Sequence, residues 1–365
     1  TMKLLILISI LLINHCSSYE PLLKQITRLY PQNAFLDDIN SIAIDQENEN
    51  IYVTNTASGT IDIISYSSIT DDDSSDNSLT IIRSIDINLQ GSPYFKLDYI
   101  TSITYTNKGY IVATLIPYNY AKLPGWLVFI DPDTQYIENF IPLKYCYSPK
   151  HIVPTSDGTK LIIACEGLAD ANVADPAGSI SVVDIKSNDP TKWEIHNIGF
   201  TTFDDCDDSY DEELVMKHLP DGIYLPKPEE VFSINAEPEY VTIDGDDRFA
   251  YISLQENNGI AILDVEKLEI SEIFSFGAHD FGYTGLDPSD KDNGINIMTY
   301  QNVYGLRQPD GIIFYQGKNG KKYILTANEG NAKYFDTVRV NTVELDSNAF
   351  PNGDILKKDD NLGRL

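Results

Sequence analysis

The chain has 365 residues, with 26 Lys and Arg against 55 Asp and Glu, a formal charge of -29 and an isoelectric point near 4.3. Nucleic acid and anionic membrane surfaces are therefore poor partners, because every long-range electrostatic term is repulsive. Cations are the natural counterpart, although charge on this scale also serves to keep an extracellular protein in solution.

In chain order, Lys3 precedes an apolar run from Leu4 to Ile13, and the small residues Cys16, Ser17 and Ser18 follow. This reads as a secretory signal peptide over residues 1–18, too short to span a bilayer. No later segment has the apolar length of a transmembrane helix, so the mature chain, 19–365, is expected to be secreted or held at the cell surface.

A repeated module follows. Its first strands are expected at Ser41–Asp45, Ser102–Tyr105, His151–Pro154, Tyr240–Asp244 and Gly311–Tyr315. A Gly, Asn and Asp turn joins each to a second strand, as hairpins require. Third strands are expected at Thr60–Ser65, Trp126–Asp131, Ser179–Ile185 and Gly259–Val265, and a weaker fourth at Leu268–Phe276. One such module cannot bury its own faces, so the pattern means an array. Four antiparallel strands per module is the blade of a β-propeller, and the predicted fold class is all-β with five readable blades. A β-sandwich would not repeat the same turn at the same place.

Two long connections interrupt the pattern, 199–238 and 277–308. The first contains the acidic run around Cys206 and a predicted helix over Glu212–His218; a third irregular stretch, Thr70–Ser78, is an Asp and Ser loop. Ordered insertions on a rigid scaffold are where function tends to sit. The array lacks a closing module before Leu365, so either truncation or a partner segment supplying further blades is expected. Of the cysteines kept after signal cleavage, Cys146 and Cys165 share a module, where a bridge and two buried free thiols are both compatible with the sequence, and Cys206 sits among like charges that disfavour its thiolate. No Asn-x-Ser/Thr sequon occurs.

In a propeller blade the connection after the second strand lies on the same face as the entry to the first. Second strands end in Ala-Cys-Glu-Gly, Leu-Gln-Glu-Asn and Ala-Asn-Glu-Gly, which makes Glu166, Glu256 and Glu329 equivalent positions of three blades. Beside them the first strands open with Pro149-Lys150, Pro238-Glu239 and Pro309-Asp310. Carboxylates at this density offer the hard oxygen ligands that Ca2+ takes, so Glu166, Glu256, Glu329, Glu239 and Asp310 are candidate metal ligands. Asp287, Asp290 and Asp292, with Asn296, could add ligands from the second insertion, although their spacing is not that of an EF-hand. Each glutamate would alternatively cap its own loop. His279 beside Asp280, His151, Lys150, Arg307 and Arg339 are the residues available for acid-base or phosphate-binding roles. No nucleophile-elbow, His-Glu-x-x-His or phosphate-loop motif is present, and no catalytic residue is assigned.

Ile51-Tyr52-Val53-Thr54-Asn55 followed by Ser58-Gly59-Thr60-Ile61 resembles the YVTN-type propeller repeat, which is related to the WD40 kind. The segments PEYVTIDGDDRFAYISLQENNGIAILDVE from Pro238, GLDPSDKDNGINI from Gly285, RQPDGI from Arg307 and LTANEGNAKYFD from Leu325 resemble the choice-of-anchor I domain, a family that includes mesenchyme-specific cell-surface glycoproteins. The resemblance implies a seven-bladed, secreted or surface-held propeller with two more blades, and a connection with Ca2+ or biomineral. The expected function is non-enzymatic binding or adhesion through an acidic, Ca2+-binding face, with a divalent cation and an extracellular protein or mineral as partners. Because some relatives are described as alkaline-phosphatase-like, a Ca2+-dependent phosphatase-like or phytase-like phosphoesterase is the alternative.

Overall fold

The computed structural model describes residues 9–12, 24–28, 39–67, 79–90, 96–170, 174–187, 189, 192–204, 218–330 and 338–363. The chain forms two compact units, Thr1–Ile198 and Gly199–Leu365. Most of the expected signal segment, the Thr70–Ser78 loop, Cys206 and the helix expected over Glu212–His218, apart from His218 itself, lie outside the described residues.

In the first unit, β1 (Ser9–Leu12) and β2 (Lys24–Arg28) pair as an antiparallel ribbon. Three four-stranded sheets follow, each an antiparallel meander in chain order. The first contains β3 (Ile42–Asp45), β4 (Asn50–Asn55), β5 (Thr60–Ser65) and β6 (Thr80–Asp86), and a single turn of helix, α1 (Ile87–Gln90), leaves it. The second contains β7 (Leu97–Tyr105), β8 (Ile111–Pro117), β9 (Trp126–Asp131) and β10 (Tyr136–Pro142). The third contains β11 (Pro149–Pro154), β12 (Lys160–Cys165), β13 (Ser179–Asp184) and β14 (Glu194–Gly199). These are propeller blades, and the expected third strands coincide with β5 and β9.

Blades stack face to face, so the middle strands are buried on both sides. Every residue of β4 and of β8 is buried; β8 reads as a near-continuous apolar run, whereas β4 also buries Asn50, Thr54 and Asn55. Alternation along β8 divides its side chains between two cores. Ile111, Ala113 and Leu115 join Tyr52, Ile61 and Ile63 of the first blade. Val112, with Leu127 and Phe129 of β9, joins Ile152, Leu161 and Ile163 of the third. Leu127 is fully buried, and truncation to Ala would cost about 2–5 kcal/mol through lost transfer energy and the cavity left behind.

The second unit holds a fourth blade, β15 (Pro238–Ile243), β16 (Phe249–Leu254), β17 (Gly259–Asp264) and β18 (Glu269–Ser275). A short helix, α2 (Phe232–Asn235), precedes it. A small ribbon of β19 (Ala278–Asp280) and β20 (Tyr304–Leu306) lies in the second insertion, and β21 (Pro309–Gln316) pairs with β22 (Lys322–Asn328) as the fifth module. After α3 (Gly353–Leu356), the tail packs on the insertion around Tyr300, Val303, Val340 and Leu362.

Some of the negative charge builds turns. Asp45 accepts the backbone N–H of Glu47 at 3.0 Å and of Asn48 at 3.1 Å. Asp131 does the same for Asp133 and Thr134, and Asp264 for Glu266 and Lys267. These Asx turns end strands and fix hairpin register.

Candidate functional site

The first strands of the third, fourth and fifth blades each open on a proline that pairs with the end of the second strand. The pairs are Pro149 with Cys165, Pro238 with Leu254, and Pro309 with Asn328. In each case the ladder shifts register just past the proline, a bulge that re-aims the following side chain. That side chain is Lys150, Glu239 or Asp310.

In the third blade Glu166 follows β12 and is 4% exposed. Its loop is hooked to the entry of β11, because Glu166 N donates to Ser148 O and Gly167 N to Tyr147 O. Gly167 has φ +72°, and a Cβ there would meet Pro176 O at 2.5 Å, so only glycine fits. Cys146 and Cys165 form a disulfide that fastens the same two segments, which settles the alternative left open by the sequence. Glu166 Oε2 lies 3.2 Å from Lys150 Nζ. Tyr120 is pushed above its usual value first by burial and then by the charges of Asp170, Asp98 and Glu166.

In the fourth blade the segment Gln255–Asn258 after β16 is wholly buried. Glu256 is 4% exposed and Glu239 6% exposed, and they bring carboxylate oxygens within 4.8 Å of one another. Asn257 and Asn258 hold this loop. Asn257 Nδ2 donates to Tyr224 O and Asn235 O, and its Oδ1 accepts from Glu237 N. Asn258 Nδ2 donates to Gly222 O and Gly277 O, and its Oδ1 accepts from Arg307 N and Gln308 N. Both amides of the Asn-Asn pair thus tie the carboxylate loop to the two insertions, and Asn258 uses its full hydrogen-bonding capacity. Sequence reasoning missed them. The signal available was an Asn-Asn pair standing where the other two blades have Gly167 and Gly330.

The first insertion has its own anchor. Asp204 accepts from Ser233 N at 2.7 Å and Ser233 Oγ at 2.9 Å, and Phe200, Phe203 and Phe232 meet edge to face. In the fifth blade Glu329 is exposed and Asp310 half-buried.

The aspartates of the second insertion serve other contacts. Both oxygens of Asp290 take the Arg339 guanidinium at 2.6 Å, which holds its carboxyl down at about 2. Lys291 pairs with Asp359 at 2.8 Å. Asp292 accepts from Gly294 N at 3.3 Å, and Asp287 is exposed. Among the described residues, Asp287, Asp290 and Asp292 form no three-ligand group with one another. His279 shares a hydrogen bond with Thr284 Oγ1 and stands edge-on to Phe281. His151 lies within β11, opposite Ala164. No helix of the described residues is long and apolar enough to cross a membrane.

The chain is 38% identical over 99 residues to a mesenchyme-specific cell surface glycoprotein of Strongylocentrotus purpuratus, a match covering 27% of this chain and 13% of that protein's length. Among solved structures it is similar to the periplasmic gluconolactonase PpgL of Pseudomonas aeruginosa, with 11% identity and a TM-score of 0.45 over 84% of this chain and 66% of that one. It is similar also to the beta-propeller domain of Cps50 (Swd1) from Myceliophteria thermophila, with 10% identity and a TM-score of 0.44 over 69% and 64% of the two chains. The model of the choice-of-anchor I domain matches residues 40–365, and the chain therefore belongs to the choice-of-anchor I domain family.

Proposed function

We propose that this chain is a non-enzymatic, secreted or cell-surface binding propeller whose second unit takes a divalent cation, Ca2+ by the chemistry of its ligands, at Glu239 and Glu256. One observation carries the reading: two carboxylates, almost fully buried, have oxygens within 4.8 Å of each other on loops held by strand ends and by the amides of Asn257 and Asn258. Carboxylate oxygens brought this close in a low dielectric favour a cation between them. The donors are hard oxygens on rigid backbone, which fits Ca2+, with carbonyls and water completing six to eight ligands. The Cys146–Cys165 disulfide and the similarity to a cell surface glycoprotein support an extracellular or surface location. Two basic groups that a phosphoesterase would turn on phosphate, Lys150 and Arg339, are engaged by Glu166 and Asp290.

Calorimetric titration of the whole chain with Ca2+, beside an aryl-phosphate assay in Ca2+, Mg2+ and Mn2+, tests this reading. It predicts a saturable heat that Glu256→Gln removes, and no turnover. Absence of heat with Ca2+ would remove the metal site, and chelator-sensitive turnover would replace the binding role by the phosphoesterase.

A further inference from the structure

The turn that carries Glu256 has a counterpart in the first blade. Four residues join the second strand to the third in each, between Asn55 paired with Thr60 and between Leu254 paired with Gly259. The last residue of each turn donates its N–H to the carbonyl of the first, Gly59 to Thr56 at 3.1 Å and Asn258 to Gln255 at 3.0 Å. Its own carbonyl accepts from the residue just past the fourth strand, Ile87 at 3.1 Å and Phe276 at 2.9 Å. Both last residues are left-handed, with φ 68° at Gly59 and 56° at Asn258. The turn therefore needs a residue that accepts positive φ, and glycine meets that need without a side chain. The fourth blade has Asn there, which also tolerates this conformation and adds an amide for other segments.

Those segments are the roots of both insertions. Asn258 Nδ2 donates to Gly277 O at 2.8 Å, and its Oδ1 accepts from Arg307 N and Gln308 N at 3.0 Å each. Gly277 and Arg307 are the two stems of the second insertion, just outside the paired ends of its ribbon, Ala278 and Leu306. The first insertion meets the same turn, because Asn258 Nδ2 donates to Gly222 O at 3.3 Å and Tyr224 N to Asn257 O at 2.9 Å. Bringing the ends of a long loop together costs entropy, and here a fully buried amide offsets it.

We infer that Asn258 is the positioning residue through which a cation at Glu239 and Glu256 orders the roots of both insertions, an inference that rests on the cation site proposed above. A cation shared by Glu256 and Glu239 braces the Gln255–Asn258 turn against the entry to β15, and the Asn258 contacts hold with it. Coupling of this kind is reciprocal, so fixing the roots also tightens the cation.

Hydrogen exchange of the whole chain in chelator and in millimolar Ca2+, with calorimetry in parallel, tests this. In the wild type, Ca2+ should slow exchange of the Tyr224, Arg307 and Gln308 amides about tenfold, and leave the strands of the third blade unchanged. Asn258→Gly keeps the turn in its first-blade form and should still protect Phe276, whose acceptor is a backbone carbonyl. Arg307 and Gln308 should exchange fast in that variant with and without Ca2+, and its Ca2+ affinity should fall about tenfold. Asn258→Asp keeps an acceptor for Arg307 and Gln308 and should restore their Ca2+-dependent protection. Wild-type Ca2+ heat without slower exchange at Arg307 and Gln308, or undiminished Ca2+ affinity in Asn258→Gly, would overturn the inference and leave the cation site standing. No Ca2+ heat from the wild type would remove the site and the inference together.

Discussion

The third and fourth blades use one backbone device with opposite charges. Each enters on a proline, bulges at the next residue and ends its second strand beside a buried glutamate. In the third blade the bulged residue is Lys150, and its ammonium lies 3.2 Å from Glu166. In the fourth it is Glu239, and a second carboxylate lies within 4.8 Å of Glu256. The lesson is that a propeller module can fix the position of a carboxylate and leave its counter-charge to a single side chain. In the third blade that side chain is the ammonium of Lys150, and in the fourth it is a second carboxylate, where under our proposal a cation binds. The fifth blade sets the limit, because Glu329 is exposed and water screens it.

Breaking the third-blade pair should have the largest effect. Lys150→Met leaves Glu166 buried without the ammonium and should destabilise the protein by about 3 kcal/mol, the lower end for broken buried pairs because Lys150 is partly solvated. Chemical denaturation with and without Ca2+ checks this, and rescue by Ca2+ would mean that the third blade also accepts an ion. Reduction of Cys146–Cys165 frees the loop that braces the same pair, at a cost of about 3 kcal/mol for a loop of this length. Its signature is a fall in melting temperature under reductant with the Ca2+ response kept.

Acid gives a smaller and graded loss. Asp264 is held below its usual range by the Lys267 backbone N–H and then other contacts, and Asp346 by the N–H groups of Ala349 and Asn348. Arg339 holds Asp290 near 2. A folded-state value below the unfolded one, about 3.9, means stability present above that value and lost as pH falls through the folded value. Urea midpoints should therefore fall below about pH 4 even without Ca2+. Any Ca2+-dependent increment should also decline on acidification, because its ligands must be ionised. The smallest effect concerns the hairpins. The left-handed turn position is glycine at 109, 158 and 320 but Glu49 in the first blade, with φ 53°. Glu49→Gly should stabilise by about 0.5–1 kcal/mol through relief of that strain, with no change in Ca2+ response.

How much of this was legible in the sequence follows from burial. Middle strands are covered on both faces, so β5 and β9 were bounded correctly from their apolar runs. Fourth strands alternate, as the exposed and buried residues of Glu269–Ser275 do, and a blade edge of that kind gives a weak pattern. The repeat also identified the carboxylates after the second strands and the residues that follow the entry prolines. It could not show that Asn257 and Asn258 satisfy seven backbone groups between them, because those partners come from both insertions and the entry to the fifth blade. Nor could spacing show that Asp290 is held by Arg339, which lies 49 positions away.

The most direct test of the account moves one side chain between blades. Thermal unfolding of Glu239→Lys, beside the wild type, is followed in chelator and in millimolar Ca2+. Ca2+ should raise the wild-type melting temperature, whereas the variant in chelator should be at least as stable as the wild type in chelator and should ignore Ca2+. A wild type indifferent to Ca2+, or a variant that loses stability in chelator and still responds to Ca2+, would contradict it.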